Sequence, residues 1–374
     1  MRMPMHLNFS GHWNIVSGKN CVLERGGQIK RFADRILIVT GKSSAKKSGA
    51  LDDFETLFRR EGIEYAIFEG IEENPHYDTC LRATELCLSF GANGVLGIGG
   101  GSPMDAAKTV AAMAANPKIT AEDLYARNIP NPTLPVFACP TTAGTGSEVN
   151  AYAVLTTGHG EHTRKAGYTN VQAMPAMSFL DAKYTMNLPK TVSLSTAMDA
   201  IAHAVEAYLH KSSGVFSRMV SMETLRLVWP NFCKLQREEL TFEQREQLLF
   251  GAALGGLAID LTGTCFPHGE GYPLTTNFGI PHGFACGYFL PDFLRFHETA
   301  FAEEVTALLG AMGLENTDEF QEYIYAVLPK IPNDSDTLEM LILQGKDSPN
   351  LLSAIGGGGK ERAREIYTTV LKRM

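Results

Sequence analysis

Asp199 and His203 stand four residues apart in Ser195–His210, a stretch with helical apolar spacing, so their side chains fall on one helix face. A carboxylate and an imidazole so placed could share a metal ion. On its own such a spacing is more often a structural hydrogen-bonded pair, which is common in buried helices. Two further imidazoles follow, His268 in Phe266-Pro-His-Gly-Glu270 and His282 in Ile280-Pro-His-Gly283. Each precedes a glycine, which lets neighbouring backbone close around the ring. One carboxylate with three neutral imidazoles suits Fe2+ or Zn2+, both borderline metals. The other histidines (His6, His12, His76, His159, His162, His210 and His297) show no comparable pattern and are expected to be surface or core residues.

A second chemistry is carried by glycine and hydroxyl residues. Gly97-Ile-Gly-Gly-Gly-Ser102-Pro-Met-Asp105 sits at a predicted strand end and opens a helix. Such a turn lets backbone approach a ligand, and the helix N-terminus attracts an anion such as a pyrophosphate. Ser102 could cap the helix or bond a phosphate oxygen. Alone, the glycine triplet is as well explained by a tight strand-to-helix turn. Pro140-Thr-Thr-Ala-Gly-Thr-Gly-Ser-Glu148 follows the next predicted strand and concentrates hydroxyls at the same carboxyl edge, where open α/β sheets bind ligands. Two such loops on one edge favour a dinucleotide. After the first good strand comes Gly41-Lys-Ser-Ser-Ala-Lys-Lys47, with no acidic residue for a ribose 2′-hydroxyl. Gly41, Lys42, Ser43 and Ser44 could accept a 2′-phosphate, pointing to NADP over NAD; a solvated basic loop is the plain alternative.

The elements that must position these residues are legible as periodic patterns. Ile36–Thr40, Tyr65–Phe68, Gly94–Ile98 and Pro135–Cys139 predict buried strands, and Asp52–Glu61, Thr79–Phe90 and Asp105–Ala115 predict helices between them. Beyond Pro189 strand signals almost vanish and helical patterns succeed one another: Ser195–His210, Val215–Leu235, Phe242–Leu261, Asp292–Phe296, Ala300–Met312 and Asp318–Val327. The fold class expected is an α/β dinucleotide-binding domain with a doubly wound parallel sheet, residues 1–188, followed by an all-helical metal-binding domain, residues 189–374. A cleft between two such domains is a common ligand site.

With 374 residues the chain is long enough for two cores, and its 44% hydrophobic and 20% charged content is ordinary for a globular protein. A formal net charge of −8 argues against a nucleic-acid binder. No run approaches the ~18 apolar residues of a membrane span, and MRMPMHLNFSGHW lacks the apolar core of a secretory signal. Seven scattered cysteines without a CxxC fit buried or incidental thiols in a reducing cytoplasm, not a disulfide framework or a cysteine-based zinc site.

The chain resembles the iron-containing, or group III, alcohol dehydrogenase family over nearly its whole length. GGGSPMD at Gly99–Asp105, PTTAGTGSE at Pro140–Glu148, STAMDAIAHAVEAYL at Ser195–Leu209 and the His268…His282 pair occur in the family's order and spacing. The resemblance implies the dehydroquinate synthase-like fold and a metal in the cleft. It further implies a metal-dependent, NAD(P)-linked alcohol dehydrogenase or aldehyde reductase acting on a small alcohol or aldehyde. By position it makes Asp199, His203, His268 and His282 the metal ligands for Fe2+, with Zn2+ the alternative. Gly99, Gly100, Gly101 and Ser102 become the pyrophosphate cradle, with Asp105 behind it. Thr141, Thr142 and Ser147 line the nicotinamide side, Lys165 lies near the cofactor, and Asn74 touches the adenosine. Family members are frequently dimers, so a cytoplasmic homodimer is expected. Two departures stand out. Gly41 replaces an aspartate found in several members, as in the NADP-preferring branch. Tyr272 replaces a histidine usually assigned to proton relay or substrate contact, so proton exchange is expected through water or a ribose hydroxyl with Tyr272 the lesser candidate; His268, His282 and Tyr272 are the catalytic residues expected. Glycerol dehydrogenases and dehydroquinate synthases share the plan and form the alternative reading.

Overall fold

The computed structural model describes residues 13–160, 163–331, 335–345, 348–355 and 363–372. His6, His12 and His162 lie outside the described residues. The chain divides at Leu188/Pro189 into two compact units.

The first unit is built on strands β1 (Ile15–Ser17), β2 (Arg35–Gly41), β3 (Glu64–Ile71), β4 (Gly94–Gly99), β5 (Val136–Pro140) and β8 (Met177–Leu180). They form one sheet in the order β1-β8-β5-β4-β2-β3, with every pairing parallel. Strands β6 (Tyr152–Thr157) and β7 (Arg164–Thr169) make a separate antiparallel pair. The helices are α1 (Cys21–Arg25), α2 (Ser44–Lys47), α3 (Ala50–Glu61), α4 (Tyr77–Phe90), α5 (Gly101–Ala115) and α6 (Ala121–Tyr125).

Period-two alternation explains why helices cover both faces. Ile36 and Ile38 of β2, with Leu96 and Ile98 of β4, pack against Phe54, Leu57 and Phe58 of α3. The intervening Leu37, Val39 and Val95 face the opposite way, onto Cys80 and Ala83 of α4 and Ala106, Ala107 and Val110 of α5. Strands β2, β4 and β5 are buried on both faces and read as continuous apolar runs, whereas β3, expected to be buried, is a half-buried edge strand seen through its Tyr65–Phe68 run. From β2 the chain goes to β3 on one side and returns to β4 on the other. The carboxyl ends of β2 and β4 therefore flank the topological switch point, the usual ligand crevice of such sheets.

The second unit is helical: α7 (Lys190–Tyr208), α8 (Val215–Leu235), α9 (Phe242–Thr262), α10 (Phe266–Phe278), α11 (His282–Gly287), α12 (Leu290–Glu298), α13 (Ala302–Met312), α14 (Thr317–Tyr325), α15 (Ser335–Gly345) and α16 (Ala363–Lys372). Among the described residues its only strand-like pairing is an isolated bridge, His210 with Ala354. Helix α7 is buried on all sides from Ala197 to Tyr208, so small residues must line its contacts. A Cβ on Gly255 of α9 would sit 3.3 Å from the Ala200 carbonyl oxygen and 3.5 Å from the His203 Cβ. On α11 the fit is closer still: a Cβ on Gly283 would fall on the Ser195 carbonyl oxygen and within 2.9 Å of the Asp199 nitrogen. These two glycines set how near α9 and α11 come to the helix bearing Asp199 and His203. Among the described residues no single helix is long and apolar enough to cross a membrane.

Candidate functional site

In the first unit the two loops foreseen from the sequence face each other at the sheet's carboxyl edge. Gly99 has φ of 152°, a conformation that favours glycine, and the Thr141 N–H donates to its carbonyl at 2.7 Å. A Cβ on Gly97 would meet the Met104 Cα at 2.8 Å, so α5 can start this close to β4 only without a side chain there. A Cβ on Gly100 would touch the Thr142 hydroxyl at 3.4 Å, and one on Gly101 would press Thr145 at 3.0 Å. The Thr141 and Thr142 hydroxyls are buried and make no hydrogen bond, which fits donors aimed at a ligand. Gly100 holds the N-cap position of α5, so Ser102 does not cap the helix, contrary to one expectation. Its Oγ instead accepts from the Asn74 N–H at 3.2 Å. Asn74 itself is left-handed, with φ of 57°, and its carbonyl accepts from the Thr156 hydroxyl. Asn74 and Ser102 are thus joined at the edge of the cradle.

Ser147 is placed differently from expectation. It is buried and turned inward, donating to the Asp105 carboxylate at 2.5 Å and accepting from the Lys108 ammonium at 2.8 Å. Lys108 also donates to the Asn150 side chain at 3.2 Å and the Tyr152 carbonyl at 2.6 Å, and Asp105 accepts from the Val154 N–H at 2.9 Å. Burial raises the Asp105 carboxyl, with the Lys108 charge and the Ser147 hydrogen bond pulling it back down. This buried network ties the hydroxyl loop and β6 to α5, with the Ser147 hydroxyl engaged inside it. Lys108 was not singled out in the sequence; its position three residues after Asp105 on one helix face was the available signal. Lys165 sits on β7 opposite Thr156, and its charge also lowers the Asp105 carboxyl. Gly41 ends β2, followed by exposed Lys42 and Ser43 and by Ser44 at the start of α2. A Cβ on Gly41 would find the Ile71 carbonyl at 3.4 Å, the Ser44 hydroxyl at 3.7 Å and Pro103 at 3.9 Å, so the ends of β2 and β4 adjoin.

In the second unit three imidazoles converge on one carboxylate oxygen. The Asp199 Oδ1 lies 3.5 Å from the His268 Nε2, 3.8 Å from the His203 Nε2 and 3.9 Å from the His282 Nε2. Asp199 and His203 come from α7, His268 from α10 and His282 from the first position of α11. The Asp199 Oδ1 and His268 Nε2 are buried and make no hydrogen bond. Donors around a tetrahedral ion with bonds of ~2.1 Å stand about 3.4 Å apart, so these spacings fit an ion far better than direct pairing. Burial works to raise the Asp199 carboxyl, but the positive character of the surrounding imidazoles outweighs it and holds the group well below the usual carboxylate range.

Two participants were missed in the sequence. Glu206, fully buried, accepts from the His268 Nδ1 at 2.6 Å and from the Cys265 N–H at 2.6 Å. A carboxylate on Nδ1 leaves Nε2 with its lone pair outward, the usual support of a metal-binding imidazole. Glu206 is seven residues from Asp199, two helical turns along the same face, and that spacing was its signal. Cys286, four residues after His282 on α11, puts its Sγ 3.9 Å from the His282 Nε2. The ligand atoms of Asp199, His268, His282 and Cys286 all lie within 4.8 Å of one another. Tyr272 lies flat against His282, ring centroids 5.4 Å apart and planes 6° from parallel. Burial pushes its phenol up to about 12.

Both units match known proteins. A family model described as iron-containing alcohol dehydrogenase matches residues 13–182, and one for the C-terminal part of the Fe-containing alcohol dehydrogenase family matches residues 193–332. A 1,3-propanediol dehydrogenase of Citrobacter freundii is 30% identical over 319 residues, 84% of this chain and 79% of its own. An NADPH-dependent butanol dehydrogenase of Clostridium saccharobutylicum is 29% identical over 296 residues, 76% of this chain and 74% of its own. Among solved structures, an iron-containing alcohol dehydrogenase from Thermotoga maritima superposes with a TM-score of 0.90 at 36% identity, covering 98% of this chain and 99% of that one.

Proposed function

The chain belongs to the iron-containing alcohol dehydrogenase family, oxidoreductases that use a nicotinamide cofactor and an iron ion, and from that premise we propose how its own residues divide the work. The first unit binds the dinucleotide: Gly99, Gly100, Gly101 and Ser102 cradle the pyrophosphate at the α5 N-terminus, Thr141 and Thr142 offer their hydroxyls to the nicotinamide side, Asn74 borders the adenosine and Lys165 lies nearby. The second unit holds the ion through Asp199, His203, His268 and His282. The observation that carries this assignment is the convergence of three imidazole nitrogens on the Asp199 Oδ1.

When bound, the ion supplies Lewis-acid stabilisation of negative charge on a substrate oxygen, and the dinucleotide supplies or accepts the hydride. The protein's part is orientation. Glu206 fixes the His268 tautomer, and Tyr272 holds the ring of His282. Tyr272, stacked on His282, is the proton-exchange candidate of this site. The substrate class is a small alcohol or aldehyde, in keeping with the names of the relatives. A cytoplasmic homodimer belongs to the same reading; for the compartment it is supported by seven free cysteines.

The test is elemental analysis of purified protein, followed by NADPH and NADH oxidation with an aldehyde panel after loading Fe2+ or Zn2+ separately. Aldehyde-dependent oxidation that needs no metal would overturn the assignment. NADP is the preferred cofactor here, because Gly41 leaves no carboxylate at the end of β2 to repel a 2′-phosphate. Gly41 has room for a side chain, so Gly41→Asp should fold normally and lower the NADPH-to-NADH ratio of kcat/KM by about 10- to 100-fold through like-charge repulsion. An unchanged ratio would remove NADP preference from the reading. Glu206→Gln should weaken metal binding by about 10- to 100-fold while the fold persists, measured by chelator competition. Unaltered affinity would reduce Glu206 to a packing residue.

A further inference from the structure

Helix α11 repeats the device seen on α7. Asp199 and His203 are four apart on α7, and His282 and Cys286 are four apart on α11. Gly283, seated on the Ser195 carbonyl, brings α11 so close that both of its donors enter the cluster. Cys286 is fully buried, with its Sγ 3.9 Å from the His282 Nε2 and within 4.8 Å of the Asp199 and His268 ligand atoms. Two of those atoms, the Asp199 Oδ1 and His268 Nε2, are buried without a hydrogen bond and are aimed at the same space. A zinc–sulfur bond is ~2.3 Å and a zinc–nitrogen bond ~2.1 Å, so sulfur and nitrogen at neighbouring positions of an ion with more than four donors stand about 3.1–3.6 Å apart. The 3.9 Å between the Cys286 Sγ and the His282 Nε2 is within a few tenths of an ångström of the upper end of that range.

We propose that the Cys286 sulfur is an additional donor to the ion held by Asp199 and the three histidines, giving this chain a centre of mixed nitrogen, oxygen and sulfur ligation. The inference rests on the metal assignment above and adds a soft donor to it. Thiolate favours zinc and cobalt over harder ions such as manganese. On binding, the Sγ–H proton is released to solvent and the sulfur lone pair forms the metal bond; no electron transfer is involved.

Cobalt is the probe. Apoprotein of the full chain and its Cys286→Ser and Cys286→Ala variants are loaded with Co2+ and their absorption spectra recorded. The expected result is a sulfur-to-cobalt charge-transfer band in the near ultraviolet for the unaltered chain, lost in both variants while visible d–d bands remain. Competition should show the Zn2+-to-Mn2+ affinity ratio falling roughly tenfold or more in Cys286→Ala. Cobalt d–d bands without a charge-transfer band in the unaltered chain would overturn sulfur ligation and leave the histidine–aspartate centre standing. Absence of any cobalt spectrum would overturn both. If one variant does not fold, the other and the unaltered spectrum still decide.

Discussion

His268→Ala is expected to leave the purified protein with far less than one equivalent of metal and to lower kcat/KM by roughly 10³-fold or more. The magnitude follows from the chemistry lost: Lewis-acid stabilisation of about 4 kcal/mol corresponds to roughly 10³ in rate. His268 is the central ligand by geometry. Its Nε2 makes the shortest approach to the Asp199 Oδ1, its Nδ1 is held by Glu206, and its ring stacks on that of His203 at 4.8 Å. Removing it therefore withdraws one donor and loosens the support of a second. Asp199→Asn, which keeps the shape and deletes the charge, should act in the same direction. Metal content by elemental analysis, with steady-state kinetics on the same preparation, checks both variants. A metal-free His268→Ala enzyme of normal activity would sink the assignment of the centre.

Gly283→Ala is expected to cost more than its single methyl group suggests. The added Cβ would collide with the Ser195 carbonyl oxygen and crowd the Asp199 nitrogen, so α11 must retreat from α7. Overpacking usually costs about 1–3 kcal/mol, and a clash with helix backbone belongs at or above the upper end. For a unit of this size each kcal/mol lowers the unfolding midpoint by about 2–4 °C. The same retreat carries His282 away from Asp199, so metal affinity should fall with stability. Gly310→Ala is the control. Gly310 lies inside α13 with nothing within 4 Å of an added Cβ, and alanine there should stabilise by about 0.5–1 kcal/mol. Thermal unfolding of the two variants should shift in opposite directions. Equal, small shifts would mean that Gly283 does not set the helix spacing.

Strands β2, β4 and β5 were readable because burial on both faces leaves a continuous apolar run, the edge strand β3 through its short Tyr65–Phe68 run, and the long helices because a wide buried stripe leaves a periodic trace. Strands β1 and β8, three and four residues long, are too short to show a period. The β6–β7 hairpin was passed over because half-buried strands bearing Lys165 and Gly167 read as loop. The larger loss was at the centre itself. Helices α10 and α11 carry His268 and His282, yet Pro267, Gly269, Gly271 and Pro273 speak against a helix in the first and Pro281 and Gly283 in the second. Tertiary contact overrides that local preference. Pro267 falls in the first turn, where proline is tolerated, and a Cβ on Gly271 would press the Ala285 backbone at 3.1 Å. The ligand types could be named from the sequence, but without the helical phase of α11 Cys286 could not be joined to them, and the spacing of Glu206 from Asp199 on α7 went unused. The partners of Ser147 were missed for a related reason: a hydroxyl in a polar loop gives no sign that a buried lysine, Lys108, will bond to it.

The donors of the centre are held by helix against helix, through Gly255 and Gly283 meeting backbone, and not by loops that an ion would have to gather. A vessel shaped by its own walls can be emptied and refilled without losing form, unlike small zinc domains that collapse when stripped.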